Sequence, residues 1–355
     1  MKIYIGKKAA AGNFTAPPSK SFCHRALICA ALAEGASILY GMYPSDDALA
    51  TAACLSALGA DIRFDGEKAY VRGFDALSAK ATSTLPCGES GSTLRFLTAI
   101  ALLSQNEVTL TGTTRLMQRP LAEYEKICLG QNLLYKRDKT SLTVCGRLSA
   151  GTYEISAEVS SQFASGLMMA LPLLASDSRI LLTGKVTSRS YLLITAEVMR
   201  AFGVDVTVGE RDIYIKGNSH YVPREYTVEG DCSGAAFFEA MNRLGSDIKI
   251  TGLNPESVQG DRVYGKYFDK LCEGFATLDI TDCPDLAPVL MALGAAKSGV
   301  TLTGTARLRA KESDRGAAMA EELSKFGCSV KVYENEIEVK KRGITTPTDI
   351  LSGHN

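Results

Sequence analysis

One pattern, repeated along the chain, limits the folds open to it. An apolar stretch of helical length, rich in small residues, leads through a short polar or glycine turn into a strand that closes on glycine. The copies are 26–34 with 37–41, 94–103 with 108–112, 163–175 with 180–184, 235–244 with 248–252, and 286–296 with 300–304. Their closing glycines lie about 50–70 residues apart, and self-similarity at such a period signals stacked, equivalent units. A second helical stretch follows each strand, and usually two short strands after it. Thus 48–58 leads into 59–62 and 69–71, 191–202 into 203–206 and 212–215, and 316–326 into 327–330 and 336–339. A glycine follows each of these second helices, as a C-cap of positive φ requires. The alternation after it, with period two, reads as strand. The unit is therefore β-α-β-α-β-β.

Five units begin within the 355 residues, and two domains of three would need a sixth. The expected division is a first domain of three units at 14–224, with a boundary near Val222-Pro223-Arg224. The second domain combines 1–13 with 225–355 and holds two units and the start of a third. The sixth unit's first helix would begin at Gly353-His354-Asn355, after the apolar pair Ile350-Leu351, so the expectation is a C-terminally truncated chain with an incomplete second domain. Charge narrows the partners. Lys plus Arg equals Asp plus Glu at 39 each, which gives no general basic surface for nucleic acid. No apolar run has the roughly 20 residues of a membrane helix. The start Met1-Lys2-Ile3-Tyr4-Ile5 alternates like a strand and leaves no room for a leader. Ten cysteines without a Cys-x-x-Cys pair, and three histidines, suggest reduced thiols and no metal centre in a cytoplasmic protein.

The conspicuous polar residues sit at the starts of the repeat helices, where free N–H groups and the macrodipole favour anions. Pro17-Pro18-Ser19-Lys20-Ser21 precedes Arg25, which shares a face with Ser21; Ser19 or Ser21 would cap the helix. Gly88-Glu89-Ser90-Gly91-Ser92-Thr93 precedes Arg95 and could let a phosphate approach the backbone. Arg119-Pro120, Ser160-Ser161-Gln162, Thr187-Ser188-Arg189-Ser190-Tyr191 and Asp231-Cys232-Ser233 follow the same rule. Two further starts carry acids: Asp282-Cys283-Pro284-Asp285 and Lys311-Glu312-Ser313-Asp314-Arg315. Each taken alone reads as a capped helix or a solvated charge run. Chance does not put the same kind of group at the same point of successive repeats.

These residues carry a resemblance. Pro18-Ser19-Lys20-Ser21-x-x-x-Arg25-Ala26-Leu27 is similar to the N-terminal signature of the EPSP synthase (3-phosphoshikimate 1-carboxyvinyltransferase) family. Gly88 to Arg95 resembles that family's glycine loop, with Glu89 where Asn is usual and Ser92 where Thr is usual. Arg119-Pro120, Ser160-Ser161-Gln162, Val228-Glu229-Gly230-Asp231, Pro284-Asp285 and the run from Lys311 to Arg315 match further motifs in order. The family's later Asp-His-Arg and Lys motifs have no counterpart before Asn355, and Arg307 stands where some members use Asn.

The resemblance implies an inside-out α/β barrel of the enolpyruvyl transferase type, in two domains that close like a clamp. It implies a monomer that transfers the enolpyruvyl group of phosphoenolpyruvate to the 5-hydroxyl of shikimate 3-phosphate, with no cofactor or metal, in aromatic amino-acid biosynthesis. Carried over residue by residue, Lys20, Ser21, Arg25, Ser160, Ser161, Gln162, Ser188, Asp285 and Lys311 hold shikimate 3-phosphate. Lys20, Gly91, Arg119, Gln162 and Arg315 hold phosphoenolpyruvate. Asp285 serves as base and Glu312 as acid, with Lys20 assisting. The alternatives are a UDP-sugar enolpyruvyl transferase of the same fold and a truncated, non-catalytic phosphate-binding relative. On the missing motifs, the expectation is a chain that does not turn over as it stands.

Overall fold

A computed structural model of the chain describes residues 6, 8–78, 83–310, 313–340 and 345–347. It begins with β1 (Ala11–Thr15). The first repeat runs α1 (Lys20–Ala31), β2 (Ala36–Tyr40), α2 (Asp46–Leu58), β3 (Asp61–Asp65) and β4 (Lys68–Arg72). The second runs β5 (Ser83–Gly88), α3 (Gly91–Ala101), β6 (Glu107–Gly112), α4 (Thr114–Gln118), α5 (Ala122–Gly130), β7 (Leu134–Arg137) and β8 (Ser141–Cys145). The third runs β9 (Thr152–Ser156), α6 (Ser161–Ala170), β10 (Ser178–Thr183), α7 (Arg189–Ala201), β11 (Val206–Val208) and β12 (Asp212–Ile215). Then come β13 (Glu225–Thr227), α8 (Cys232–Arg243), β14 (Asp247–Thr251) and α9 (Tyr264–Glu273). The last described repeat is β15 (Ala276–Asp279), α10 (Ala287–Ala296), β16 (Val300–Thr303), α11 (Arg315–Lys325), β17 (Ser329–Val332) and β18 (Glu336–Lys340).

The chain divides into two compact units, residues 18–229 and residues 1–17 with 230–355. Both limits fall a few residues after those read from the sequence, for a reason visible in the pairing. β13 lies parallel to β2, Glu225 facing Ile38, and so stays with the first unit. The stretch through Ala16 stays with the other: β1 runs parallel to β14, and the Ala16 N–H donates to the Thr251 carbonyl at 2.9 Å.

In the unit 18–229 three sheets share one design, β13-β2-β4-β3, β5-β6-β8-β7 and β9-β10-β12-β11. In each a parallel pair is extended by an antiparallel hairpin, and in the second and third sheets a buried helix joins the pair. The other unit holds β15-β16-β18-β17 and the two-stranded β1-β14. Only Gly274 and Phe275 separate α9 from β15, too few residues for two strands, so this repeat departs from the β-α-β-α-β-β unit and lacks its hairpin. The apolar pair Ile350-Leu351 and the turn at Gly353-His354-Asn355 lie outside the described residues.

The small-residue helices became the core because they have no polar face. α1 is buried from Phe22 to Ala31, α3 throughout except Ser92, and α6 throughout except Gln162. A helix apolar on all sides belongs inside a domain, and each fully buried Leu, Ile or Phe contributes roughly 1.5–3 kcal/mol. Close contact between α3 and α6 requires glycine at 166. A Cβ there would lie 3.0 Å from the Arg95 carbonyl oxygen and 3.3 Å from the Phe96 Cα. α10 is the counterpart in the other unit, packed among Phe268, Leu271, Leu302 and Val339. All ten cysteines are free thiols, eight of them buried, with Cys145 half-buried and Cys272 exposed.

Candidate active site

Helix entries of the unit 18–229 are wired to one another by buried arginines. Arg95, one turn into α3, donates from Nη1 to the Gln162 Oε1 of α6 at 2.6 Å and from Nη2 to the Pro120 carbonyl at 3.2 Å. Gln162 in turn donates from Nε2 to the Ser92 hydroxyl at 2.9 Å. The guanidinium of Arg119 lies against Gly91: a Cβ on that glycine would sit 3.0 Å from Cζ, with Nη1 nearer still. Gly91, Ser92, Arg119 and Gln162 therefore share one neighbourhood, and Arg95 fixes the Gln162 side chain and the Pro120 carbonyl that border it. Ser90 makes the turn possible. Its hydroxyl accepts from the Thr93 N–H at 3.3 Å and caps α3.

Arg25 is the second hub. It is 2% exposed, and donates from Nε to Thr195 at 2.6 Å, from Nη1 to the Ser21 carbonyl at 2.8 Å, and from Nη2 to the Tyr191 carbonyl at 3.1 Å and the Ser165 hydroxyl at 3.3 Å. Burial pushes its pKa down, to about 10, because desolvation disfavours the cation. Ser160 caps α6, accepting from the Gln162 N–H at 3.2 Å, and Ser160 and Ser161 are both buried. Ser188 precedes α7 with φ 56° and ψ 43°, left-handed for a residue with a side chain, and is also buried. Strain of that kind costs on the order of 1–3 kcal/mol and collects at functional sites. Contrary to the sequence reading, Ser19 makes no side-chain cap to α1. Its backbone is held instead by the Glu229 carbonyl at 2.8 Å.

Lys20, the first residue of α1, forms an ion pair with Asp47 at the start of α2. Burial pushes the Asp47 pKa up, but the Lys20 ammonium and the Ser90 hydroxyl outweigh it and hold the carboxyl below its ordinary value. Asp47 was not singled out from the sequence. In Ser45-Asp46-Asp47 it reads as one of the acids usual in a first turn, and only the packing of α2 against α1 brings it to Lys20. His24, also passed over, is buried beneath this pair.

In the other unit, Asp285 and Arg315 form a direct ion pair with about a quarter of each side chain exposed. Asp285 lies in the 3-10 turn Pro284–Leu286 before α10. Arg315 opens α11, whose cap is Asp314 accepting from the Ala317 N–H at 3.1 Å. A carboxylate expected to act as base is thus held by a cation expected to bind phosphoenolpyruvate. Lys311 and Glu312 lie outside the described residues. Among the described residues, no group of three or more His, Cys, Asp or Glu is arranged to hold a metal, and no helix is long and apolar enough to cross a membrane.

Comparison with known proteins shows what the chain is similar to. Residues 5–353 match the family model described as EPSP synthase (3-phosphoshikimate 1-carboxyvinyltransferase). A 3-phosphoshikimate 1-carboxyvinyltransferase of Clostridium novyi is 37% identical over 358 residues, covering 93% of this chain and 82% of that protein. One of Clostridium kluyveri is 39% identical over 346 residues, covering 92% of this chain and 81% of its own length. Among solved structures, the EPSP synthase of Acinetobacter baumannii superposes with a TM-score of 0.78 at 23% identity, covering 98% of this chain and 86% of that one. The enolpyruvyl transferase NikO of Streptomyces tendae superposes with a TM-score of 0.74 at 14% identity, covering 94% and 83%. The two structures speak for the fold.

Proposed function

The chain belongs to the EPSP synthase (3-phosphoshikimate 1-carboxyvinyltransferase) family, and from that premise we propose which of its residues carry the reaction. The enzyme transfers the 1-carboxyvinyl group of phosphoenolpyruvate to the 5-hydroxyl of shikimate 3-phosphate, a step of aromatic amino-acid biosynthesis. The hydroxyl oxygen adds to C2 of the enol while C3 takes a proton. Loss of a C3 proton and departure of phosphate then restore the double bond. Asp285 receives the hydroxyl proton and Glu312 serves C3, the two-carboxylate arrangement that such paired transfers favour. Lys20 assists beside both substrates.

The Arg95 hub is the observation that carries the anion site. It holds Gln162 and the Arg119-Pro120 segment around Gly91, a neighbourhood suited to the phosphate and carboxylate of phosphoenolpyruvate. Lys20, Ser21, Arg25, Ser160, Ser161, Gln162, Ser188, Asp285 and Lys311 are the residues assigned to shikimate 3-phosphate. Arg315 meets phosphoenolpyruvate by exchanging Asp285 for the ligand. The working form is a cytoplasmic monomer without metal or cofactor, because an enol phosphate is already activated and cations meet its charge.

The test is direct. Against the expectation of a chain that does not turn over, the purified gene product, given both substrates, should release phosphate together with 5-enolpyruvylshikimate 3-phosphate, and neither when one substrate is omitted. Transfer to a UDP-sugar with none to shikimate 3-phosphate would overturn this function. Undiminished phosphoenolpyruvate affinity in Arg119→Ala would overturn the site.

A further inference from the structure

The Lys20–Asp47 pair stands at the end of a buried file of hydrogen bonds. The Ser90 hydroxyl interacts with the Asp47 carboxylate and helps hold its pKa down. Thr93 Oγ1 donates to Ser90 Oγ at 2.7 Å. The hydroxyls of Thr51 and Thr93 are 2.7 Å apart, and His24 Nδ1 is 2.7 Å from Thr51 Oγ1. The file crosses from α1 through α2 to α3, and none of His24, Thr51, Thr93 and Ser90 is more than 3% exposed.

Its direction is forced. Ser90 accepts from Thr93 Oγ1 and keeps its own hydroxyl proton for Asp47, since an ionised carboxylate only accepts. Thr93 then donates to Ser90, Thr51 to Thr93, and the remaining donor must be His24 Nδ1–H. Nδ1 therefore carries a proton, and because burial keeps the ring neutral its Nε2 bears a bare lone pair. That atom is buried and has no hydrogen-bond partner among the described residues. The His24 ring meets the Phe96 ring edge-on, their centroids 6.4 Å apart. An orphaned buried acceptor costs roughly 1–3 kcal/mol, which leucine or phenylalanine would avoid. What an imidazole adds at this place is its Nδ1–H.

We propose that His24 is a positioning residue for the reaction, the fixed donor that sets the file Thr51–Thr93–Ser90 and so orients Asp47 and, through it, the Lys20 ammonium toward the substrates. This rests on Lys20 meeting both substrates, as argued above. The charged groups facing the file are Lys20 and Arg25 from α1 and Asp47 from α2; α3 contributes the hydroxyls of Ser90 and Thr93. Burial, then the Lys20 and Arg25 charges against that of Asp47, hold the His24 pKa down at about 3, so the donor keeps its form throughout the neutral range.

Three variants test the file. Thr51→Val keeps shape and removes one link. His24→Phe removes the donor. His24→Asn puts an amide N–H near the place of Nδ1 and should restore it. Thr51→Val and His24→Phe should lower kcat/KM for phosphoenolpyruvate about tenfold, or ~1.4 kcal/mol. Both should also move the acid limb of its pH profile upward, because Asp47 loses an oriented donor. His24→Asn should recover most of both. A second readout needs no turnover. Nitrogen NMR should show Nδ1 protonated and Nε2 bare at neutral pH. The Asp47 carboxyl should titrate at higher pH in folded Thr51→Val than in the parent. An Nε2-protonated ring, or an unchanged Asp47 titration in Thr51→Val, would overturn the proposal. A parent protein that does not transfer enolpyruvate would sink the functional reading instead, and the NMR arms would still decide the file.

Discussion

Gly91→Ala tests the anion site at the point where the structure is most constrained. The added methyl would meet Arg119 before it met any ligand, with Cζ 3.0 Å away against an ordinary contact of 3.4–4 Å. The obstructing atoms are the far end of a long side chain, so the fold can yield by moving the guanidinium. The displacement is at least several tenths of an ångström at Cζ and more at Nη1. A charge-assisted hydrogen bond is worth ~1.5–3 kcal/mol, so losing one from Arg119 should raise the KM for phosphoenolpyruvate roughly 10- to 100-fold. The KM for shikimate 3-phosphate should stay within about twofold, because Arg25, Ser160 and Ser188 are held by other partners. Initial rates with each substrate varied at saturating partner give both constants, and thermal unfolding checks the fold. A double-mutant cycle locates the cause: in an Arg119→Ala background the alanine should add little, since nothing is left to displace. Equal rises in both KM values, or full additivity with Arg119→Ala, would refute the reasoning.

Glu312→Gln and Asp285→Ala should each lower turnover by about 10²-fold or more, the usual scale of general acid–base catalysis; near-parental rates in either remove that residue from the mechanism. His24 should leave a mark on stability. Its pKa is held near 3 in the fold against about 6.5 when unfolded. The unfolded chain therefore binds the extra proton, and unfolding free energy falls as pH drops from about 6.5 toward 3, by up to ~1.4 kcal/mol per unit. Denaturant titrations should show that slope shrinking in His24→Asn, and an identical slope would count against a neutral buried ring. Arg25→Gln should abolish the rise in melting temperature produced by shikimate 3-phosphate while leaving a cooperative fold; an undiminished ligand shift would remove Arg25 from the site.

Much of the architecture was legible because its main signal is local. α1, α3, α6 and α10 are rich in small apolar residues, and the strands after them close on glycine. Gly41, Gly184, Gly252 and Gly304 do take positive φ, whereas Gly112 continues β6. What escaped is non-local. β13 is three residues long, and nothing in Glu225-Tyr226-Thr227 announces that it completes the sheet of β2. The hairpin β7–β8 hides in Leu134-Tyr135-Lys136-Arg137, where alternation is weak. The missing hairpin after α9 shows only once the short step to β15 is known. The site divides the same way. The helix-entry residues proposed for the site are read from their place in the repeat. Asp47, His24 and the role of Arg95 depend on contacts between helices that no spacing encodes.

The buried arginines explain how a chain of zero formal charge can gather anions. Arg25, on the first repeat's helix, stands over the Phe96 ring of the second at 4.9 Å. Arg95, on the second, stands over the Phe163 ring of the third at 5.3 Å. The first and second repeats thus each lay a cation on the aromatic face of the next, a contact worth ~2 kcal/mol or more when desolvated. The hydrogen bonds of Arg25 go to two hydroxyls and two carbonyls, none of them anionic. Removing a charge from water without a counter-ion is expensive, and the depressed Arg25 pKa is the same cost seen from the proton's side. Ring faces and helix-end carbonyls offset part of it. They leave positive potential at the helix starts, where Lys20 and the capped N-termini add to it, and a phosphorylated substrate supplies the missing charge. Net charge therefore says little about ligand preference here, because the repeat places its cations where solvent screens them least.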